Sequence, residues 1–344
     1  MTQHAVTPAR SPGGYESPGD VAVQAHHHRP GAPVTLRMSS ASSPSPTAQR
    51  TLSAHAHRRS GLHKLAGAAR QRLAYLRQIL ELLPLLFILS AVLCAVLPEQ
   101  LASHDPRHMD QDAILAAPGA AHLFGTDQYG RDVFSLVVHG ARQSLILGIC
   151  AVLIGGSIGV FLGMLAGFRG GRLDRLIMRL IDVWLSVPDI LLAIIIATAL
   201  GSSFTNVILA ISLMIVPAYV RVMRSAVLAV RHRAFVEASR SMGASTAWII
   251  VRHVFPHCLS PLLVKSTIGI GTAILAGAGL SFLGLGAIEE LPDWGYTLAQ
   301  GRSYLSVAWW ICIFPGLAIT LLVIAINLVG ESLKHRIDLK QRSH

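Results

Sequence analysis

Six apolar runs, near residues 79–98, 143–168, 183–201, 205–228, 261–283 and 306–329, decide what this 344-residue chain can become. Each has about 20 residues or more, the length an α-helix needs to cross ~30 Å of hydrocarbon. In that medium every backbone N–H and C=O must be satisfied within the segment, which a helix does by itself. Composition agrees, with 52% hydrophobic and 14% charged residues and a mean hydropathy of +0.52, values that exclude an ordinary water-soluble enzyme. The expected fold class is an all-α membrane protein with six transmembrane helices.

Basic residues set the orientation, because Lys and Arg flanking a span are retained on the cytoplasmic side. With the N-terminus inside, 24 of the 29 Lys and Arg fall in segments 1–77, 169–179, 221–252 and 334–342. Only Arg107, Arg131, Arg142 and Arg302 fall outside, and Lys265 sits near the cytoplasmic end of the fifth run. The pI near 10.2 follows from this asymmetry and requires no nucleic-acid partner. Cys94, Cys150, Cys258 and Cys312 have no metal-type or redox-type spacing and read as small apolar packing residues.

The organisation expected is a disordered basic cytoplasmic tail over 1–76, a first transmembrane helix over 77–98 and a periplasmic loop over 99–142. A core of five transmembrane helices over 143–329 and a short cytoplasmic C-terminal tail over 330–344 complete it. The tail is rich in Ser, Pro, Ala and His without hydrophobic periodicity, and its basic character suits anionic lipid heads. Its cluster His26-His27-His28 is a flexible histidine run to which no biological metal site is assigned, and the other histidines are scattered over loops and tail.

The loop 99–142 holds six acids against three arginines with many turn formers, among them Gly125, Thr126, Asp127, Gly130, Arg131 and Asp132. That density fits either an internally paired cap or a dock for a soluble partner. In the second run Gly155, Gly159, Gly163 and Gly167 recur every fourth residue and leave one helix face nearly bare, as do Gly269, Ala273 and Gly277 in the fifth. Such faces permit close helix approach, within the chain or against another subunit. Ionisable residues in spans are costly and informative. Asp182 reads as the partner of a neighbouring arginine, and Asp189, just after the kink-forming Pro188, as a residue facing a water-filled path.

Between the fourth and fifth runs lies a charged amphipathic insert, 229–260. A short helix is predicted over 234–242, apolar at Phe235, Val236 and Met242 and closed by Gly243 in the left-handed conformation. Ser245 then caps a second short helix bearing Trp248, Ile249 and Ile250, limited by Pro256. Glu237 and Arg240 share a face. On composition alone the insert suits an interfacial hairpin and a docking element equally.

Glu237-Ala238-Ser239, Gly243 and Pro256 resemble the EAA loop of binding-protein-dependent ABC importer permeases, with Ser239 in place of the usual second Ala. Three more stretches are similar to the C-type subunit of the dipeptide, oligopeptide and nickel branch. They are His122 through Asp132 with Gly140 to Leu145, then Gly170-Gly171 with Asp174, Met178 to Asp182 and Pro188. The last comprises Leu280 to Gly286 with Trp294-Gly295, Phe314 to Ala318 and Asn327 to Gly330. Together they cover roughly residues 75 to 340 in family order. Leu136, Asp189 and Leu339 depart from residues frequent in relatives (Arg, Ser and Pro), which bears on the substrate group rather than on the family.

The resemblance implies the type I ABC importer permease architecture in a bacterial inner membrane, with both termini cytoplasmic. It implies import of di- or oligopeptides, with nickel or another small peptide-like solute as the alternative cargo. Its partners would be a second, B-type permease, one or two ATPase subunits and a periplasmic substrate-binding protein. ATPase coupling would fall to Glu237, Ala238, Ser239, Arg240, Gly243, Ala244 and Pro256. No GxxxxGK[ST] phosphate loop occurs, so the chain is expected to bind no cofactor, with ATP and Mg held in the partner ATPases. An ion-coupled secondary transporter, the competing class, needs carboxylates near mid-membrane, for which Asp189 is the one candidate.

Overall fold

A computed structural model describes residues 82–286 and 292–342, so the tail 1–76 and the start of the predicted first helix lie outside the described residues. The described residues are mainly helical, and their single β feature is an isolated bridge between Thr126 and Asp132. Helix α1 is Leu82–Val96 and α2 is the single turn Pro98–Leu101. Then come α3 (Val133–Arg169), α4 (Gly171–Trp184), α5 (Asp189–Leu200) and α6 (Phe204–Val230). The elbow consists of α7 (Ala234–Ser241) and α8 (Thr246–Ile249), which passes through a π turn, Ile250–Val254, into α9 (Phe255–Phe282). Helices α10 (Trp294–Gly301) and α11 (Trp310–Arg342) follow.

Among the described residues four helices are long and apolar enough to cross a membrane, and the bent pair α4–α5 makes a fifth span if taken as one. Leu82–Val96 is a shorter apolar helix. Exposed apolar side chains cover the outside of these helices, among them Leu86 and Phe161, each 68% exposed, as expected of a surface meeting lipid.

Several predicted boundaries move, for local reasons. Helix α3 starts at Val133, not 143, because the Asp132 carboxylate caps it by accepting from Ser135 N. Its first turns bury Val133, Leu136, Val138 and Ala141, although His139 and Arg142 lower their mean hydropathy. The third predicted span is broken: α4 and α5 meet at 84° across Leu185–Pro188, and α5 alone is 12 residues, or ~18 Å. Pro256 does not end the elbow's second helix. It is the second residue of α9, and the π turn before it carries the chain through. Residues 330–342, predicted as tail, continue α11.

Helices α3, α6 and α9 form the centre, with α1 and α11 packed on α9 through Ala91, Ile274, Leu322 and Ile326. Contacts run in step from Gly155 with Ser212 to Gly167 with Val227, so α3 and α6 are parallel, whereas Gly148 meets Ile274 and Val152 faces Gly269, so α3 and α9 are antiparallel. The C-terminal ends of α3, α6 and α11 and the start of α9 therefore gather at one end, here termed the elbow end. The loop 99–132 and α10 occupy the other.

The glycine face of α3 is an intrachain seam. A Cβ on Gly163 would lie 2.6 Å from Val220 O and 2.8 Å from Met223 Cβ. The corresponding face of α9 receives Tyr219 at Gly269 and Leu147 at Gly277. Gly163→Leu is expected to cost at least the ~1–3 kcal/mol of core overpacking, read as a lost monodisperse peak after detergent extraction. Gly279→Leu, in the same kind of apolar helix but with nothing within 4 Å of its Cβ, should leave that peak intact.

Candidate functional site: the elbow and the opposite cap

The elbow grows out of the end of α6. Arg233 turns the chain, α7 runs for eight residues, and Gly243 reverses it at φ +80°, with Gly243 N donating to Arg240 O (3.0 Å) and Ala244 N to Ser239 O (3.2 Å). These bonds satisfy carbonyls that the helix end would otherwise leave open. Ser245 then caps α8 by accepting from Trp248 N at 3.3 Å.

One side of the elbow is fixed to the membrane helices. Val236, Ile249, Val254 and Cys258 are fully or almost fully buried against Met223, Val227 and Val230 of α6, with Phe235 and Ala244 half-buried beside them. Polar ties add direction. Arg224 of α6 grips the Asp174 carboxylate of α4 with both Nε (2.5 Å) and Nη2 (2.7 Å), and Arg231 Nη1 donates to Gly167 O at 2.8 Å. The Arg240 guanidinium lies 5.7 Å from the Phe168 ring centre, joining α7 to the end of α3. Asp182 does have an arginine partner, Arg221 of α6, at 2.7 Å.

The other side is open. Glu237, Ala238, Arg240, Gly243 and Pro256 are exposed, and with them Met242 (81%), Trp248 (50%) and Val251 (69%). Two residues of the predicted coupling set belong instead to the inner side: Ser239 is buried with its Oγ donating to Phe235 O at 2.8 Å, and Ala244 packs on the core. Met242 goes the opposite way. Grouped in sequence with Phe235 and Val236 as an apolar position of the predicted helix, it lies outside α7, which ends at Ser241, and is exposed. Arg224, Asp174 and Phe168 were missed because their partners are distant in sequence.

At the other end, loop 99–132 is internally paired. Asp127, 1% exposed, accepts from Tyr129 N and Arg131 N (both 2.9 Å) on Oδ1 and from Arg131 Nε (2.6 Å) on Oδ2. Arg131 Nη2 reaches Gln300 Oε1 at 2.9 Å. Thr126 donates to Ala113 O, accepts from Ala116 N, and takes Trp310 Nε1 on its carbonyl at 2.9 Å. Gly125 (φ +73°) lies against the Trp310 indole, and Gly130 (φ +75°) against the Asp110 backbone, where no side chain fits. Close by, burial pushes the Asp293 carboxyl above the usual carboxylate range, opposed by hydrogen bonds from Ser281 and Gly295 N. Asp189 begins α5 at the break, exposed and within electrostatic reach of Lys265 on α9.

An apolar helical bundle that carries a braced elbow with an exposed outer face has the character of a membrane-embedded protein. Comparison with known proteins agrees. The family described as "Binding-protein-dependent transport system inner membrane component" matches residues 159–343. The chain is 43% identical to the probable D,D-dipeptide transport system permease protein DdpC of Escherichia coli, covering 74% of this chain and 85% of that protein. It is also 43% identical to the di/tripeptide transport system permease protein DppC of Pseudomonas aeruginosa (75% and 88% covered). Identity is 40% with the glutathione transport system permease protein GsiD of Pectobacterium atrosepticum (78% and 90% covered). The chain belongs to this family of inner-membrane permease components, and is not itself the ATPase of such a system.

Proposed function

We propose that the chain is one of two permease subunits of an ATP-driven importer of short peptides, enclosing the path together with a B-type partner. The observation that carries this reading is the elbow, a stiff element whose inner face is buried and whose outer face offers Glu237, Arg240, Met242 and Trp248 to a partner. An ATPase subunit seated there holds the ATP and Mg and transmits its closure through α7 to α6 and α9. The elbow end faces the cytosol, since the basic segments 169–179 and 221–252 lie at that end.

A binding protein delivers substrate at the other end. Because Asp127 and Arg131 are turned inward, its contact there is the exposed surface of Met109 (56%), Ile114 (51%), Leu123 (56%) and Tyr129 (42%). The relatives named for dipeptides, tripeptides and glutathione support peptides of a few residues as cargo.

Reconstituted with its partner subunits in liposomes, the chain is expected to support uptake of a labelled tripeptide that needs ATP, stops with vanadate and ignores collapse of ion gradients. Uptake driven by an ion gradient without ATP would replace this reading with the secondary transporter. Competition by glutathione but not by dipeptides would narrow the cargo, and uptake of nickel alone would overturn the peptide assignment.

A further inference from the structure

Three side chains far apart in sequence meet at the cap. His104 follows α2, His122 precedes the turn at Gly125, and Asp132 caps α3. Their ligand atoms all lie within 4.8 Å of one another. His122 Nδ1 is 3.0 Å from Asp132 Oδ1, His104 Nδ1 is 3.9 Å from Asp132 Oδ2, and the two imidazoles have ring centres 4.9 Å apart. We propose that His104, His122 and Asp132 form a binding site for one divalent first-row transition ion, such as Zn(II), Co(II) or Ni(II), that staples the cap. This goes beyond the transport reading and does not depend on it.

Chemistry and preorganisation both support the site. Two imidazoles and one carboxylate suit borderline ions, whereas Mg and Ca prefer all-oxygen sets. Ligand atoms at ~2.0–2.1 Å from a tetrahedral ion stand about 3.4 Å apart; here His122 Nδ1 is 3.0 Å from Asp132 Oδ1, His104 Nδ1 is 3.9 Å from the other carboxylate oxygen, and no pair of ligand atoms exceeds 4.8 Å, so small side-chain rotations bring the set onto one ion. Asp132 is 2% exposed and is oriented by Ser135, whose N (2.8 Å) and Oγ (2.7 Å) both donate to Oδ2. The same Ser135 Oγ accepts from His104 N at 3.0 Å, which places that histidine's backbone. The His122 carbonyl accepts from Gly119 N (2.8 Å) and Gly125 N (3.0 Å), fixing the third ligand. The His104 side chain is 39% exposed and that of His122 15%, so an ion has an entry route and room for water on its open positions. Held this way, the ion would join the segment after α2, the loop before Gly125 and the start of α3.

Co(II) is the probe, because its visible absorption reports ligand set and geometry. The purified full-length chain carries His26, His27 and His28, so the background is the chain with all three replaced by Ala. In that background one Co(II) per chain is expected, displaced by Zn(II). His104→Ala, which keeps the backbone bond to Ser135, and His122→Gln, which keeps a donor for Asp132, should each weaken it. The loss should be no less than the ~10–100-fold that removal of even an outer-shell partner costs. Circular dichroism and a monodisperse peak would show both variants folded. The proposal is overturned if the background chain binds none of Co(II), Ni(II) or Zn(II) at millimolar ion, or if both folded variants bind Co(II) as tightly as their parent. Neither result touches the peptide reading, which is measured by transport.

Discussion

Asp127→Lys is expected to remove most of the folded protein from the membrane fraction, rather than to yield a stable subunit with a weakened partner contact. The carboxylate is 1% exposed and accepts two backbone N–H groups and the Arg131 Nε, so the variant strands all three donors and buries an ammonium beside a guanidinium. Removing one partner of a buried ion pair costs ~3–5 kcal/mol, and a like charge in its place adds to that. Arg131 would also lose the orientation that brings its Nη2 to Gln300, so the link from the cap to α10 fails with it. Asp127→Asn keeps an acceptor for the two N–H groups and gives up only the charge, for an intermediate loss of ~1–3 kcal/mol. Thermal unfolding of the detergent-extracted chain, followed by size exclusion, should rank parent above Asn above Lys. A folded, monodisperse Asp127→Lys with reduced affinity for the binding protein would contradict the cap. Tyr129→Ala is the complementary test: exposed, and touching the cap only where its ring lies 4.9 Å from the Arg131 guanidinium, it should leave the chain folded and report mainly on the docking surface.

What sequence reveals about this molecule depends on the range over which each determinant acts. Local determinants were legible. Gly243 takes φ +80° where the insert needed a helix to stop, Ser245 caps the next helix, and Pro188 marks the break before α5. The long apolar runs of α3, α6, α9 and α11 are equally local, since hydropathy is a property of the segment. Boundaries set by a single capping bond were harder to read. Ten residues of α3 were assigned to the loop because His139 and Arg142 interrupt their apolar run, while the Asp132 cap and the apolar stripe Val133, Leu136, Ala141 had already committed them to helix. Contacts between distant segments were not legible at all. Asp174 and Arg224 lie 50 residues apart, Arg131 and Gln300 lie 169 apart, and nothing in their spacing announces either pair. The glycine stripe shows both sides of this division: its existence was plain, but only the positions of Val220 and Met223 decide that it closes within the chain.

Gly243→Trp is expected to abolish peptide uptake while the chain still inserts and folds, and the structure separates two reasons why. A Cβ at Gly243 meets nothing within 4 Å, so the indole finds space and the core beneath keeps its packing. What changes is outside: the exposed face that carries Glu237 and Met242 gains a large side chain where an ATPase groove would have to approach closely. The backbone is the second reason, since φ +80° is disfavoured for any residue with a side chain, by roughly 1–2 kcal/mol. Gly243→Ala isolates that contribution, because Ala carries the left-handed cost while adding only a methyl that meets nothing within 4 Å. If fit to the partner governs coupling, the Ala variant should retain most uptake and the Trp variant none. If backbone strain governs it, the two should fall together. Coupling between sites is typically worth ~1–3 kcal/mol, a factor of about 5–150, so even partial misfit is measurable as lost stimulation of ATP hydrolysis by the loaded binding protein. Glu237→Arg acts on the same face without altering φ or volume at the turn, and its loss of stimulation should be recoverable by charge reversal on the ATPase side. Normal uptake by Gly243→Trp would mean that the partner does not approach this turn, and α7 would then lose its role as the lever between ATP hydrolysis and the membrane helices.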